Sequence, residues 1–492
     1  MNMTTLNNSN SETSVRLTRI KALRDRGVDP YPAAAFKPTM PIRDALLNSD
    51  DLISDSTQLR FAGRLLGLRH FGSGAFADLV HDDERIQLYV AAAHCDQEAM
   101  ELVEYLDLGD FVGAEGTMFM TQRGEKSLKV KTLHVLAKSV RPLPVGKRTA
   151  AGSVHQALVD QGRLARERHV ALIADRELRQ RILCRTKIIR AIRRYFENEG
   201  FVEVDTPILS GAYGGAAAQP FVTTSKALGS DLYLRVSPEC SLKRALCGGI
   251  PKVFEIGKNF RNEGIDHSHS PEFTAIEWYE AFSDYREQMV RFENLVGGLA
   301  MEVHGSHSVR FRDRTFDFAP PWPRVKVLDA VALALKRSPT ELSEADVLNE
   351  YRRIDPEIGH CTWGEALMGL FEALVEPELV GPVFVIDHPV EVSPLTKRHR
   401  CDSRLVERFE PFVAGMEIGN AYSELNDPIE QRQRLENQDI AREEPYGLDE
   451  DFLRAIEHGM PQAGGAGLGI DRIVMILTDA RRLADVLLFP MV

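Results

Sequence analysis

Between Phe260 and Phe273 the chain reads FRNEGIDHSHSPEF: an arginine, three acids and two histidines, set between the apolar lead-in KVFEIGKN and the amphipathic exit TAIEWYEAF. Arg261 presents a fixed fork of donors that matches a carboxylate or a phosphate. In RFEPFVAGMEIGNAYSELND, Glu410 and Glu417 stand seven apart, compatible with facing strand positions. Two hard carboxylates converging on one point suit Mg²⁺ carrying a nucleotide phosphate. Near the C-terminus, GGAGLGIDR places a glycine run before Asp471 and Arg472, where backbone must pass close to another group. Taken singly, each has a plainer explanation. Arg261 suits a structural ion pair, Glu410 and Glu417 suit solvated surface acids, and His269 suits a satisfied structural role. The glycine run lacks the strand–helix unit with a later acid that a dinucleotide fingerprint requires. Their force lies in occurring together, in order, in one chain.

These residues need elements to hold them. The strand KVFEIGKNF, the polar loop and the strand EFTAIEWYEAF form a hairpin with charged residues on one face. RQRILCRTKIIRAIRRYFENEGF is an amphipathic helix ended by Gly200, followed by VEVDTPIL with Pro207 as a stop. LYLRVSP, PVFVIDHPV, FEPFVAGMEIG and AGLGIDRIVMIL supply further strands or strand–turn–helix units, and residues 325–380 read as mostly helical. Upstream, residues 15–28 have helical spacing. From 58 to 140, five short alternating strands carry a helix, CDQEAMELVEYL, between the third and the fourth. That is the pattern of an OB-fold barrel. The expected organisation is an N-terminal helical extension at 1–57, the barrel at 58–140, a linker at 141–180 and an α+β body at 181–492. Within the body, about 325–380 forms an insertion.

The totals agree with this division. A chain of 492 residues is too long for one core and favours two to four domains. No apolar run reaches the length of a membrane helix, and MNMTTLNNSNSETS lacks the basic and apolar regions of a secretory signal. Six scattered cysteines without a CxxC pair argue against zinc and disulfides and suit a reducing cytoplasm. Net charge is −12, yet residues 151–200 hold 11 basic against 6 acidic side chains, whereas 201–492 hold 30 against 47. A local basic collar allows an acidic protein to hold a polyanion; a solvated arginine-rich helix face explains it equally well.

The ordered series resembles the three motifs of class II aminoacyl-tRNA synthetases, and in detail the lysyl-tRNA synthetases. The first is the helix at 181–200 with GFVEVDTPIL, the second is FEIGKNFRNEGIDHSHSPEF running into EWY, and the third is GLGIDRIVMIL. PVEVSPLTKRHR, GMEIGNAYSELND and DVLLFP are similar to that family too, and the likeness extends from about 16 to 490. The resemblance implies an antiparallel-sheet catalytic domain behind an anticodon-binding OB-fold. It also implies a cytoplasmic homodimer that joins lysine to tRNA(Lys) at the expense of ATP, with Mg²⁺. On this resemblance Arg261 holds the lysine carboxylate and the α-phosphate, and Phe273 and Arg472 sandwich the adenine. Glu263 and His269 complete the ATP site, and Glu410 and Glu417 bind the metal. Glu239 meets the α-amino group and Asn420 the carboxylate, while Glu277, Tyr279, Tyr422 and Glu424 line the slot for the ammonium tip. A long cationic side chain suits aromatic walls and a carboxylate end. In the barrel Arg69, Phe76 and Gln87 stand where the family reads the central uridine; Phe76 also suits a core strand position.

Three places depart from the family pattern. Cys240 and Ser241 replace the usual Leu and Tyr beside Glu239, Ser270 replaces an Asn in the polar loop, and VDQGRLARERHVAL replaces a Tyr-Arg-rich phrase. Two other readings stand beside lysine charging: a lysine-activating enzyme with a non-tRNA acceptor, and a nucleic-acid-binding protein with a vestigial site. The barrel counts against the first, and the retained Arg261, Glu410, Glu417 and Arg472 count against the second.

Overall fold

Alternation of period two organises the first unit, which runs to Arg176. In the computed structural model, which describes residues 11–72, 74–143, 147–148, 154–155, 166–215, 218–440 and 447–491, five strands close into a barrel. They are β1 (Gln58–Phe71), β2 (Gly74–His81), β3 (Glu84–Ala91), β4 (Phe111–Met120) and β5 (Lys126–Ala137), in the order β1-β2-β3-β5-β4. Phe61, Leu65, Leu79, Ile86, Leu88 and Val130 point inward and are buried, and closure leaves no free edge. Helix α1 (Ser11–Asp25) adds Leu23 to that core, and its buried Arg16 donates to the carbonyls of Leu108 and Ser139 at 3.0 and 3.1 Å. Helix α2 (Gln97–Val103) falls between β3 and β4, where the sequence places it. Its cap is Asp96, which accepts the Ala99 N–H at 2.7 Å.

The second unit, Glu177–Val492, is built on one large sheet. Its strands are β6 (Val202–Glu203), β7 (Lys252–Phe260), β8 (Glu272–Ala281), β9 (Arg324–Lys326), β10 (Val383–Ile386), β11 (Arg408–Val413), β12 (Gly419–Ser423) and β13 (Ala463–Gly469). The order across the sheet is β9-β10-β11-β12-β13-β8-β7-β6, antiparallel throughout the middle and parallel only at the two edge pairs. The two-residue strand Met416–Glu417 hangs on β11. One face is apolar. There Phe254, Ile276, Trp278, Phe384, Phe409, Ala421 and Leu468 meet three helices: α3 (Arg176–Asn198), α5 (Tyr285–His304) and α10 (Ile470–Leu477). Helix α3 contributes Ile188, Ile192 and Phe196 at a spacing of four, and α5 starts at Asp284, which accepts the Arg286 N–H at 2.9 Å. Helix α4 (Glu239–Cys247) precedes β7, and α9 (Glu450–Glu457) packs against α4 by way of Phe452. The segment 325–380 holds α6 (Val327–Ala334), α7 (Glu344–Ile354) and α8 (Trp363–Leu374), which enclose their own small core. The α+β body with its β-barrel is therefore present as expected.

Much of the segment expected as a linker, 141–180, and the first half of VDQGRLARERHVAL lie outside the described residues. Its far end carries the helix Arg168–Ala174 and the start of α3.

Candidate active site

Burying one face of the sheet fixes what the other face shows. On β8, Ile276 and Trp278 face the helices, so Ala275, Glu277 and Tyr279 face away from them. The register sets Glu277 beside Gly467 and Gly467 beside Asn420; one step along, Tyr279 lies beside Gly465 and Gly465 beside Tyr422. On β11 Phe409 faces the helices and Arg408 and Glu410 the open side. The glycines of β13 form the floor. A Cβ on Gly465 would stand 2.2 Å from a Glu424 carboxylate oxygen and 2.4 Å from the Tyr279 ring, so no larger residue fits. Above this face lies a cleft of about 1080 Å³.

Arg261, Glu263, His269, Phe273 and Arg472 line one part of the cleft. Arg261 stacks its guanidinium over Phe273 at 5.2 Å, and its buried Nε has no hydrogen-bond partner among the described residues. A buried donor left open is aimed at an acceptor that the protein itself does not provide. The polar loop is tied at its base, where the Arg261 N–H donates to the Pro271 carbonyl at 2.9 Å. His269 pairs with Asp266 at 2.7 Å through Nδ1 and meets Arg472 at 3.1 Å through Nε2; Arg472 also donates to the Glu417 carbonyl at 2.5 Å.

Glu410 and Glu417 both line the cleft, although Glu417 pairs with Phe412 and does not face Glu410 directly, and their environments differ. Burial would raise the Glu410 carboxyl, but Arg408 at 2.5 Å and His388 at 3.3 Å overcome it and hold the group well below the ordinary range. Glu417, at the open side of the cleft, is pushed up by desolvation and then by the charge of Glu410. Two acids so close that one suppresses ionisation of the other are a fit for a hard divalent cation, which removes that repulsion. Among the described residues no group of three or more His, Cys, Asp or Glu could hold a metal unaided. Oxygens of a bound phosphate would have to complete the shell.

The other part of the cleft is an acidic pocket with aromatic walls. Ser237 Oγ donates to Glu277 at 2.9 Å and accepts the Glu239 N–H at 3.0 Å, while Tyr279 donates to Glu277 at 3.2 Å. Burial, then the charge of Glu239, pushes the Glu277 carboxyl up to about 7. Glu239 accepts from Tyr422 Oη at 2.5 Å and from Lys243 Nζ at 2.7 Å. Asn420 accepts from Arg408 at 3.0 Å. Glu239, Glu277, Tyr279, Asn420 and Tyr422 line the cleft, whereas Glu424, 1% exposed, lies behind its wall and contacts Lys243 at 2.5 Å. Of the departures from the family pattern, Cys240 and Ser270 line the cleft and Ser241 does not.

In the barrel, Arg69 on β1 pairs with Phe76 on β2, and Phe76 with Tyr89 on β3; Gln87 lies two residues from Tyr89 and so on the same outward face. Phe76 is half-exposed and is not a core residue. With Phe71, Tyr89 and Phe119 it forms a run of rings 5.1–5.9 Å apart, and Lys129 lies over Phe119 at 5.4 Å. Gln87 is buried and accepts from Ser127 at 3.1 Å. A plate of aromatic rings edged by cations suits single-stranded bases.

Sequence reasoning passes over Lys243, Ser237, Arg408 and His388. Arg408 had a signal, since it lies two residues before Glu410 and shares its face; Lys243 had one too, four residues after Glu239 on a helix.

Comparison with known proteins adds to this geometry. Residues 160–492 match the family of class II tRNA synthetases (D, K and N), and residues 59–136 match the OB-fold nucleic acid binding domain. The chain is 41% identical over 487 residues to the lysine–tRNA ligase of Clostridium kluyveri, covering 96% of this chain and 94% of that protein. To the lysine–tRNA ligase of Moorella thermoacetica it is 42% identical, covering 97% and 96%. To that of Chloroflexus aurantiacus it is 41% identical, covering 96% of each.

Proposed function

The chain belongs to the class II tRNA synthetases, in the lysine-specific branch, and on that premise we propose that it activates L-lysine with ATP and transfers it to the 3′ end of tRNA(Lys). One observation carries the reading. An acidic pocket with aromatic walls and an arginine with an open donor share one cleft, so a diamine's amino end and a carboxylate–phosphate pair are bound side by side.

The residues then take these parts. Arg261 grips the lysine carboxylate and the α-phosphate, and its fixed charge stabilises the pentavalent phosphorus as the carboxylate attacks in line and pyrophosphate leaves. Phe273 and Arg472 hold the adenine, and His269 with Glu263 and Arg472 orders the rest of the nucleotide. Glu239 receives the α-ammonium, Asn420 orients the carboxylate, and Glu277 with Tyr279 and Tyr422 receives the side-chain ammonium. Glu424 adds its charge from behind the wall. Glu410 and Glu417 would hold Mg²⁺, which when bound would neutralise phosphate charge. No enzyme nucleophile is needed, because positioning and electrostatics supply the rate.

The acceptor follows from the barrel: its aromatic face, with Arg69, Phe76 and Gln87, supports recognition of an anticodon and weighs against a non-tRNA acceptor. A homodimer is supported by the exposed apolar residues Leu183, Val202, Ile208 and Leu209, on or just after the helix of the first motif. No helix among the described residues is long and apolar enough to cross a membrane, in keeping with a cytoplasmic enzyme.

The test is ATP–pyrophosphate exchange with each of the twenty amino acids, without tRNA, followed by charging of purified tRNA(Lys). Exchange driven by lysine alone is expected. Exchange with another amino acid would retain the fold and refute the substrate.

A further inference from the structure

We propose that Lys243 is a built-in counter-cation that sets the charge of the amino-acid pocket to match the two ammonium groups of lysine, and is thereby a specificity-determining residue. The proposal rests on the lysine reading of the site. Lys243 lies on α4, one turn after Glu239, and its side chain is fully buried. Its ammonium is 2.7 Å from Glu239 and 2.5 Å from Glu424, and lies 5.4 Å from the centre of the Tyr422 ring and 5.9 Å from that of Phe452. It joins the carboxylate at the α-amino end of the pocket to the one behind the opposite wall.

Charge counting shows what this does. Glu239 and Glu277 in the aromatic-walled pocket and Glu424 just behind its wall bring three carboxylates close together, where uncompensated charge is costly. The Lys243 ammonium balances one of them. With lysine bound and the carboxylates ionised, two negative charges remain, and the α- and ε-ammonium groups of lysine bring the pocket to neutrality. An amino acid with an uncharged side chain leaves one carboxylate unpaired in a dry site, and that penalty is a means of rejection. Burial opposes the charge on Lys243, but Glu239 and then Glu424 more than offset it and raise its pKa, so the ammonium persists at neutral pH.

The alternative is a purely structural part, with Lys243 acting as a spacer for α4. Glu424→Gln and Glu424→Gln/Lys243→Met separate the two. In the single variant Lys243 keeps Glu239 as partner, but the pocket holds one negative charge too few for lysine. In the double variant the opposite charges leave together, which buried pairs commonly tolerate, and the count is again two. KM for lysine and for ATP would be measured by pyrophosphate exchange. The double variant is expected to bind lysine about tenfold more tightly than the single one, with KM for ATP alike in both. If the double variant is as poor as the single, or poorer, Lys243 is a spacer and the proposal falls. Wild-type enzyme in the same assay keeps the issues apart: absence of lysine-driven exchange there would refute the function, whereas lysine-driven exchange without rescue refutes only the part given to Lys243.

Discussion

In the proposed lysine pocket a single side chain, Glu277, ties substrate binding to pH. Its burial and the neighbouring charge of Glu239 raise its carboxyl to about 7, against the pull of Ser237, Tyr279 and Arg261. In the empty pocket below that pH the group holds a proton and is neutral. Lysine's ammonium needs the ionised form, so binding must expel that proton, and affinity falls as pH falls. Glu424, buried behind the wall, is pushed up to about 8 as well, so KM for lysine should fall as pH rises through both values and climb at least about tenfold per unit below pH 7. Pyrophosphate exchange at graded lysine concentrations between about pH 5.5 and 8.5 measures this. A KM that stays flat across that range would mean that Glu277 is already ionised in the empty site.

At the scale of elements, the proposed adenine site rests on a contact that no single motif contains. Arg185 of α3 lies 2.5 Å from Asp471 and donates to the Thr274 hydroxyl at 2.9 Å, and Asp471 accepts the Thr274 N–H at 2.8 Å. Thr274 follows Phe273 on β8, and Asp471 precedes Arg472 on α10, so one guanidinium braces both halves of the proposed sandwich. Arg185→Leu should raise KM for ATP at least about tenfold while leaving KM for lysine nearly unchanged, because removing one member of a buried pair strands the other. Equal loss for both substrates would point to a general collapse of the sheet. This contact also shows where sequence reading stops. The strand pattern, the barrel and the cleft-lining residues were legible, because period-two alternation and contiguous motifs put them on known faces. Arg185 and Lys243 were not, since a basic residue on an amphipathic helix reads as solvated until the fold shows which acids it meets. Glu424 was legible as an acid of the pocket, but not as one behind its wall, because its depth depends on the glycine floor at Gly465.

For the whole molecule the question is what two units add to one reaction. The body holds the groups for activation, and its 47 acidic against 30 basic side chains over residues 201–492 give it no general attraction for a polyanion. The barrel presents Phe76, Tyr89 and Phe71 as an outward plate with Arg69 beside it, and stacking on such rings is worth about 1–3 kcal/mol per base. Recognition and chemistry are therefore separable by mutation. Phe76→Ala leaves the barrel core intact, because Phe76 faces outward while Ala75 and Ala77 point in. It should raise KM for tRNA(Lys) by roughly ten- to a hundredfold, the kinetic equivalent of one lost stack, and leave lysine-dependent pyrophosphate exchange at the wild-type rate. Parallel assays of charging and exchange on one preparation read both. An equal fall in the two would tie the barrel to the stability of the catalytic site, whereas unchanged charging would remove Phe76 from the anticodon site and leave Tyr89 and Phe71 as the stacking surface.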